Sequence, residues 1–257
     1  MIQFVLTQNH TYTLARVRKG SGMPAIGFID YDALIGRSAI RRGTYIFGDF
    51  DRLGHWDLEL AGTIYQKLAK EPGFTLLNNP ARALQRFNLL RLLHARGLNG
   101  FNVHRAAECG PSMRFPVFLR KERGHGFPLS PLLNTLEDTE QAIEGALAQG
   151  IPLENLMLVE YLAEPIRPGL YRKWAVFRIG DRLLPHLCVH DTQWLVKYGK
   201  KGIADEDSYR GEREMLAAGS CIDETHLRKV FELAQIDYGR LDFGLVEGKI
   251  QVYEINT

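Results

Sequence analysis

The sequence has little cysteine. Three in 257 residues, Cys109, Cys188 and Cys221, form no C-x-x-C pair and make an odd number. That excludes a disulfide scaffold and a zinc ribbon, and it suits a reducing compartment. Long apolar runs are also missing: no stretch approaches the ~20 residues that a membrane helix needs. Met1-Ile-Gln-Phe-Val-Leu6 lacks the basic start and long apolar core of a signal peptide, and reads as a strand. A cytoplasmic protein without a membrane partner is the expectation. Neither charge sign dominates, with 32 Lys+Arg against 30 Asp+Glu and a formal charge of +2. This excludes an acidic tail and gives no footing for a nucleic-acid partner. Two basic clusters, Arg16-Arg18-Lys19 and Arg37-Arg41-Arg42, read as solvated surface, with an anionic substrate as the alternative. No G-x-x-x-x-G-K-[ST] phosphate loop, internal repeat, heptad array or low-complexity segment is present.

What is present is a mixed α/β pattern in lobes. Ile2–Leu6, Ala25–Ile29, Thr44–Phe47 and Phe74–Leu77 read as short strands. Leu58 to Lys70 reads as a helix with Leu60, Ile64 and Leu68 on one face. These make a small N-terminal lobe over residues 1–78, a candidate substrate side. Asn78-Asn79-Pro80 predicts a helix start, with Asn as cap and Pro at the first helical position. That helix is expected to run to Arg96 and to bury Ala83, Phe87, Leu90 and Leu93. A middle lobe follows at about 101–162, with strands Phe115–Leu119 and Leu156–Val159. Between them Thr135 and Asp138 form a capping box at a helix start. The last lobe, about 171–257, opens on strands Trp174–Ile179 and Leu183–Val189. It continues with helices Tyr209–Ala218 and Glu224–Ala234, the second capped by Asp223.

The final eighteen residues predict a β-hairpin that turns at Glu247-Gly248. Asp242 falls on one strand, and Glu254 and Asn256 share a face of the other. Two carboxylates and an amide pack poorly but offer the oxygen ligands that Mg²⁺ prefers. The bland alternative is an exposed polar hairpin edge. No basic residue is expected among them on that face, so the carboxylates should repel one another. Earlier, Arg120-Lys-Glu-Arg-Gly124-His-Gly126 directly follows a strand. Its glycines allow a sharp turn that brings amides toward an anion. Alternation lets only one of Arg120 and Lys121 face a ligand, and register favours Arg120. His125 reads as a loop residue, and His190 as a satisfied structural histidine.

Arg240-Leu-Asp242-Phe and Glu254-Ile-Asn256, twelve residues apart from Asp to Glu, resemble the magnesium-binding end of the ATP-grasp superfamily. The resemblance runs from about Asn79 to Thr257. It implies an ATP-grasp-like domain over 79–257, with a nucleotide cleft between two lobes, preceded by the small N-terminal α/β lobe. By the same resemblance Asp242, Glu254 and Asn256 hold Mg²⁺. Arg240 stabilises charge on the transferring phosphoryl group. Arg120 or Lys121 reaches the phosphates under a flap containing Gly124 and Gly126. Leu158-Val-Glu160-Tyr161-Leu162 resembles the hinge that reads adenine, with Glu164 near the ribose. Tyr171-Arg-Lys173-Trp resembles a strand from which Arg172 or Lys173 reaches phosphate or a carboxylate. Arg86 is the nearest candidate for a helix-borne phosphate contact, or else plain surface. Members often continue past the Glu-Ile-Asn word with a closing segment, whereas Thr257 is last here. The implied activity is an ATP- and Mg²⁺-dependent ligase joining a small-molecule or peptide carboxylate to an amine. A phosphotransferase and a non-catalytic nucleotide-binding module are the alternatives. A homodimer is an assembly the resemblance allows.

Overall fold

Four parallel strands open the chain: β1 (Ile2–Leu6), β2 (Ile26–Asp30), β3 (Gly43–Phe47) and β4 (Phe74–Leu77), in the order β2-β1-β3-β4. In this computed structural model residues 1–14, 25–219 and 222–257 are described. The cluster Arg16-Arg18-Lys19 and Cys221 lie outside the described residues. Parallel strands need crossovers, which α1 (Tyr31–Ile35) and α2 (His55–Leu68) supply. Leu58, Ala61, Ile64 and Tyr65 of α2 pack on Val5, Tyr45 and Phe47. Of the expected stripe Ile64 packs there and Leu68 is buried, while Leu60 is not part of that cluster and Ala61 takes its place.

The second sheet is antiparallel, in the order β5-β7-β6, from β5 (Val103–Arg105), β6 (Val117–Lys121) and β7 (Leu156–Glu160). Helix α4 (Leu136–Ala148) covers one face. Its cap Thr135 accepts from the Asp138 amide, and Ile143 and Ala146 pack on Val117, Leu119 and Leu158. The third sheet, β11-β10-β8-β9, is antiparallel and built from β8 (Tyr171–Ile179), β9 (Arg182–Asp191), β10 (Tyr238–Val246) and β11 (Lys249–Asn256). Helix α6 (Glu224–Ala234) seals its outer face. Leu227, Val230 and Phe231 bury against Trp174, Val176, Leu241, Phe243 and Val252. Each such side chain contributes about 1.5–3 kcal/mol. Helix α5 (Glu206–Ala218) lies along β9.

Helix α3 (Arg86–Ala95) is wedged between the last two sheets. Leu89 and Leu93 join the core of the third sheet, while Phe87 and Leu90 join that of the second. It begins at Arg86, with Gln85 in the N-cap position and no side-chain capping bond, and not at Asn79-Pro80. Asn78 has a left-handed φ of 61°, and Asn79 closes only a local turn by accepting from the Ala81 amide. The Asn78 side chain is spent on joining two sheets, so it is not available as a cap. No described helix is long and apolar enough to cross a membrane.

Candidate active site

The C-terminal hairpin turns at Glu247 and Gly248, with φ of 50° and 74°. Such left-handed pairs match the twist of the flanking strands. Its register sets Asp242 opposite Glu254 and Arg240 opposite Asn256. Alternation therefore puts all four on one face. A bulge beyond Asp242 inserts Tyr253 as an extra residue on β11. On the neighbouring strands Lys173, Phe177, Leu187 and Val189 share that face, as the cleft lining confirms. This face floors a cleft of about 680 Å³. Phe118, Arg120 and Val159 of the second sheet form the opposite wall.

The carboxylates on the floor are not bare. Asp242 is 1% exposed; its Oδ1 accepts from Arg240 Nε at 2.8 Å, and its Oδ2 from Lys173 Nζ at 2.9 Å and Arg240 Nη2 at 3.2 Å. Glu254 Oε2 accepts from Arg86 Nη2 at 2.5 Å. Burial pushes the Glu254 carboxyl up, but the charges of Arg86, Arg120 and His125 outweigh it and hold the pKa near about 2. Burial and the Arg86 charge bring Arg120 down to about 10, which leaves it a cation at neutral pH. Arg86, Arg120, Lys173 and Arg240 thus face Asp242 and Glu254, four positive charges against two negative. The expectation of mutually repelling carboxylates fails, and the surplus charge favours an anion.

Asp242, Glu254 and Asn256 offer only hard oxygen donors among their acceptors. The Asn256 Nδ2, a donor, is buried without a partner among the described residues, and the atom that would ligate a cation is its Oδ1. An ionised carboxylate accepts at about four lone-pair sites, and the oxygens that meet Arg and Lys keep acceptor capacity. The donor set fits a small hard cation such as Mg²⁺.

The glycine loop after β6 bridges the lobes. Arg86 Nη1 donates to the carbonyls of Glu122 (2.8 Å) and Gly124 (3.1 Å). Lys197 Nζ donates to the His125 carbonyl at 2.5 Å and sits 4.1 Å from the Phe127 ring centroid. His125 Nε2 lies 3.0 Å from Asp51 of the N-terminal lobe. Gly126 lines the cleft, while Gly124 does not; its φ of 89° is what requires glycine there.

The chain from Glu160 to Glu164 also lines the cleft. The Glu160 and Tyr161 amides are committed to the carbonyls of Asn102 and Pro116. The Glu160 carboxylate turns inward and accepts from the amides of Asn102 (2.9 Å) and Arg114 (3.1 Å). Burial raises its pKa, but those amides, His104 and Arg114 lower it more. Its side chain is therefore an anchor, and with the Glu160 and Tyr161 amides also spent, the Leu162 amide is the one of the three not committed among the described main-chain bonds. Glu164 lines the cleft as well, with its carboxylate held by the Glu247 amide at 2.6 Å. Phe118 and Tyr161 pack against Trp194 nearby, tilted and edge-on, with ring centroids 4.9 and 5.4 Å from it.

Arg120, Gly126, Glu160, Tyr161, Leu162, Lys173, Arg240, Asp242, Glu254 and Asn256 are brought together on this lining. Lys121 is not; it is exposed on the other face of β6. Arg86 is neither surface nor cleft lining but a buried tie. Arg37, Arg41 and Arg42 are exposed and line no part of the cleft. Sequence reading assigned no role to Phe4, Leu6, His10, Arg52 and Tyr238, which extend the cleft toward the first sheet. No motif marks them, because only the packing of one sheet on another brings them there.

No protein-family model matches the sequence, and no curated protein matches it. Solved structures do match. D-alanine–D-alanine ligase from Bacillus anthracis, complexed with ATP, superposes with a TM-score of 0.56 at 12% identity, over 100% of this chain and 85% of that one. The Coxiella burnetii D-alanine–D-alanine ligase gives 0.52 at 12%, over 100% and 84%. Carboxyaminoimidazole ribonucleotide synthase from Aspergillus clavatus, complexed with ATP, gives 0.51 at 14%, over 98% and 62%. This chain has an ATP-grasp fold. Both words that carried the resemblance, Arg240-Leu-Asp242-Phe and Glu254-Ile-Asn256, lie on the paired strands at the floor of this cleft.

Proposed function

We propose that this protein is an ATP-dependent ligase that activates a carboxylate by phosphoryl transfer and joins it to an amine. The observation that carries the reading is the cleft lining, where Arg120, Lys173 and Arg240 outnumber Asp242 and Glu254, with Arg86 paired to Glu254 behind it. A buried positive surplus suits a polyphosphate, and the aromatic end beside Glu160–Leu162 suits a flat base. There the Leu162 amide, with carbonyls of the Glu160–Leu162 stretch, would read the base edge, since the Glu160 and Tyr161 amides are spent elsewhere. Lys173 and Arg120 would neutralise the phosphates. Arg240, half-exposed beside Asp242, would stabilise charge on the transferring group, a task for which bidentate geometry favours Arg over Lys. Asp242, Glu254 and Asn256 would hold Mg²⁺, which supplies charge neutralisation between phosphate oxygens when bound. The acceptor substrates would occupy the extension toward the first sheet, where Arg52 offers a guanidinium to a carboxylate. The solved structures that share the fold are named as ligases or a synthase, two of them complexed with ATP, which agrees with this reading. Arg120 carries the cation expected from that strand, so the absence of lysine there does not favour a non-catalytic module.

The test is a thermal melt with MgATP, followed by an ADP-release screen over amino acids and short peptides paired with amines. A ligand in hundredfold excess over its Kd should stabilise the folded state by about 2.7 kcal/mol. Product analysis should find an amide; a stable phosphorylated product would select the phosphotransferase instead. If millimolar MgATP and MgADP both leave the melt unmoved, the cleft is not a nucleotide site.

A further inference from the structure

The third sheet has a second group of chemistry-bearing side chains, on the face turned away from the cleft. Cys188 and His190 are two apart on β9 and so point the same way. Their cross-strand neighbours are Trp174 and Arg172, and Trp174 belongs to the core that α6 covers. Glu212 reaches them from α5. The ligating atoms of Cys188, His190 and Glu212 all lie within 4.8 Å of one another. Both strand residues are buried, at 6% and 4% exposure, and Glu212 is half-buried.

We propose that Cys188, His190 and Glu212 form a binding site for a zinc-class divalent metal ion, separate from the nucleotide cleft and fastening α5 to β9. The first support is the donor set. One thiolate, one imidazole and one carboxylate are the ligand types of Zn²⁺, with solvent as a fourth ligand. Mg²⁺ takes oxygen ligands and would not select a thiol. The second is an orphan: His190 Nε2 is buried without a hydrogen-bond partner among the described residues. A buried ring nitrogen left in that state is costly, and a metal bond would satisfy it. The third is mechanical. Among its described residues α5 buries none, yet it lies against β9. It is held there by the partly buried Met215 and by Tyr209, edge-on to the His190 ring, and a bond from Glu212 through a metal to the strand would add an anchor beyond this packing.

Charge is consistent with the assignment. A thiolate and a carboxylate balance one divalent cation, with the imidazole neutral. Burial and the Glu212 charge raise the Cys188 thiol against Arg172; burial and Arg172 lower the His190 imidazole against Asp205; burial raises the Glu212 carboxyl against the Cys188 amide, Arg172 and Arg213. The net effect keeps the Cys188 thiol up, the His190 imidazole down and the Glu212 carboxyl up. The thiol therefore gives a proton to solvent as the metal–sulfur bond forms, and the neutral imidazole is ready to ligate. Tetrahedral ligands around zinc lie about 3.5 Å apart, so the three atoms draw together by roughly an ångström on binding.

Cobalt(II) is the probe, because a thiolate bound to it gives an intense near-ultraviolet charge-transfer band. The full chain titrated with Co²⁺ should show that band, saturating stoichiometrically, and Zn²⁺ but not excess Mg²⁺ should abolish it. Cys188→Ser should eliminate the band, whereas Cys109→Ser should keep it. Because Cys188 is packed in the core, Glu212→Gln provides a variant at a half-buried position. Losing that ligand should weaken Co²⁺ binding on the order of tenfold or more. No band in the wild type would overturn the proposal. So would a band that persists in folded Cys188→Ser, or an affinity unchanged in Glu212→Gln. None of these readouts uses ATP, so they stand or fall independently of the ligase reading.

Discussion

Asp242 and Glu254 show how a residue's surroundings decide what its substitution does. Read as a hairpin alone, the two carboxylates repel, and neutral isosteres should leave the metal-free fold untouched or improve it. That expectation fails first at Arg240, which alternation places two residues before Asp242 on the same face. It fails again at Lys173 and Arg86, which arrive from 69 and 168 residues away. The corrected prediction concerns Glu254→Gln. The folded-state pKa of about 2 lies below the ~4.3 of an unfolded glutamate. Stability from the ionised group is therefore fully present above about pH 5 and is lost as pH falls toward 2. Glu254→Gln should destabilise by about 1–3 kcal/mol at neutral pH, since Arg86 loses its charged partner. The gap from wild type should close on acidification. Chemical denaturation at pH 7 and pH 3 measures both quantities, and equal stability at pH 7 would refute the ion-pair account.

At the scale of elements, β6 is the simplest test of how the cleft is assembled. Val117 and Leu119 face α4, while Phe118 faces Phe87 and Leu90. Arg120 therefore enters the cleft and Lys121 leaves it. Arg120→Ala should weaken MgATP binding and, where turnover exists, reduce it on the order of 10²–10³. Lys121→Ala should leave binding unchanged and shift stability within about 0.5 kcal/mol. Calorimetric titration of both variants decides it, and equal losses would mean that the strand register is wrong. Alternation of this kind was legible in the sequence, as were the Thr135 and Asp223 caps and the Glu247-Gly248 turn, because each depends on residues within a few positions. The start of α3 was not. Asn78-Asn79-Pro80 has the composition of a helix cap, but Asn78 is drawn into contacts about 160 residues away, which no local pattern can reveal. The same limit hid Arg52, His10 and Tyr238 as cleft lining.

At the scale of the whole molecule, the sheets are joined by buried amides as well as by apolar packing. Asn99 pairs with both main-chain groups of Val252, at 2.8 and 2.9 Å, and ties the loop after α3 to β11. Asn78, fully buried, makes four such bonds. Its Nδ2 donates to the carbonyls of Phe47 (2.8 Å) and Tyr238 (2.7 Å). Its Oδ1 accepts from the amides of Asp237 (2.8 Å) and Tyr238 (2.9 Å). One side chain thus holds the end of β3 in the first sheet to the start of β10, the strand that carries Arg240 and Asp242. Removing it leaves buried donors and acceptors without partners, each costing about 1–3 kcal/mol. Asn78→Ala should therefore lose at least ~3 kcal/mol and weaken MgATP binding along with stability. Alanine also strains the left-handed backbone, which asparagine tolerates and glycine adopts freely. Asn78→Gly separates the two causes, since it relieves the backbone and still loses every bond. Thermal melts of the two variants beside Asn79→Ala, which touches only a surface turn, make the comparison. If Asn78→Gly recovers most of the wild-type stability, the residue is there for its backbone conformation. If it stays close to Asn78→Ala, the hydrogen bonds between sheets are what hold the cleft together.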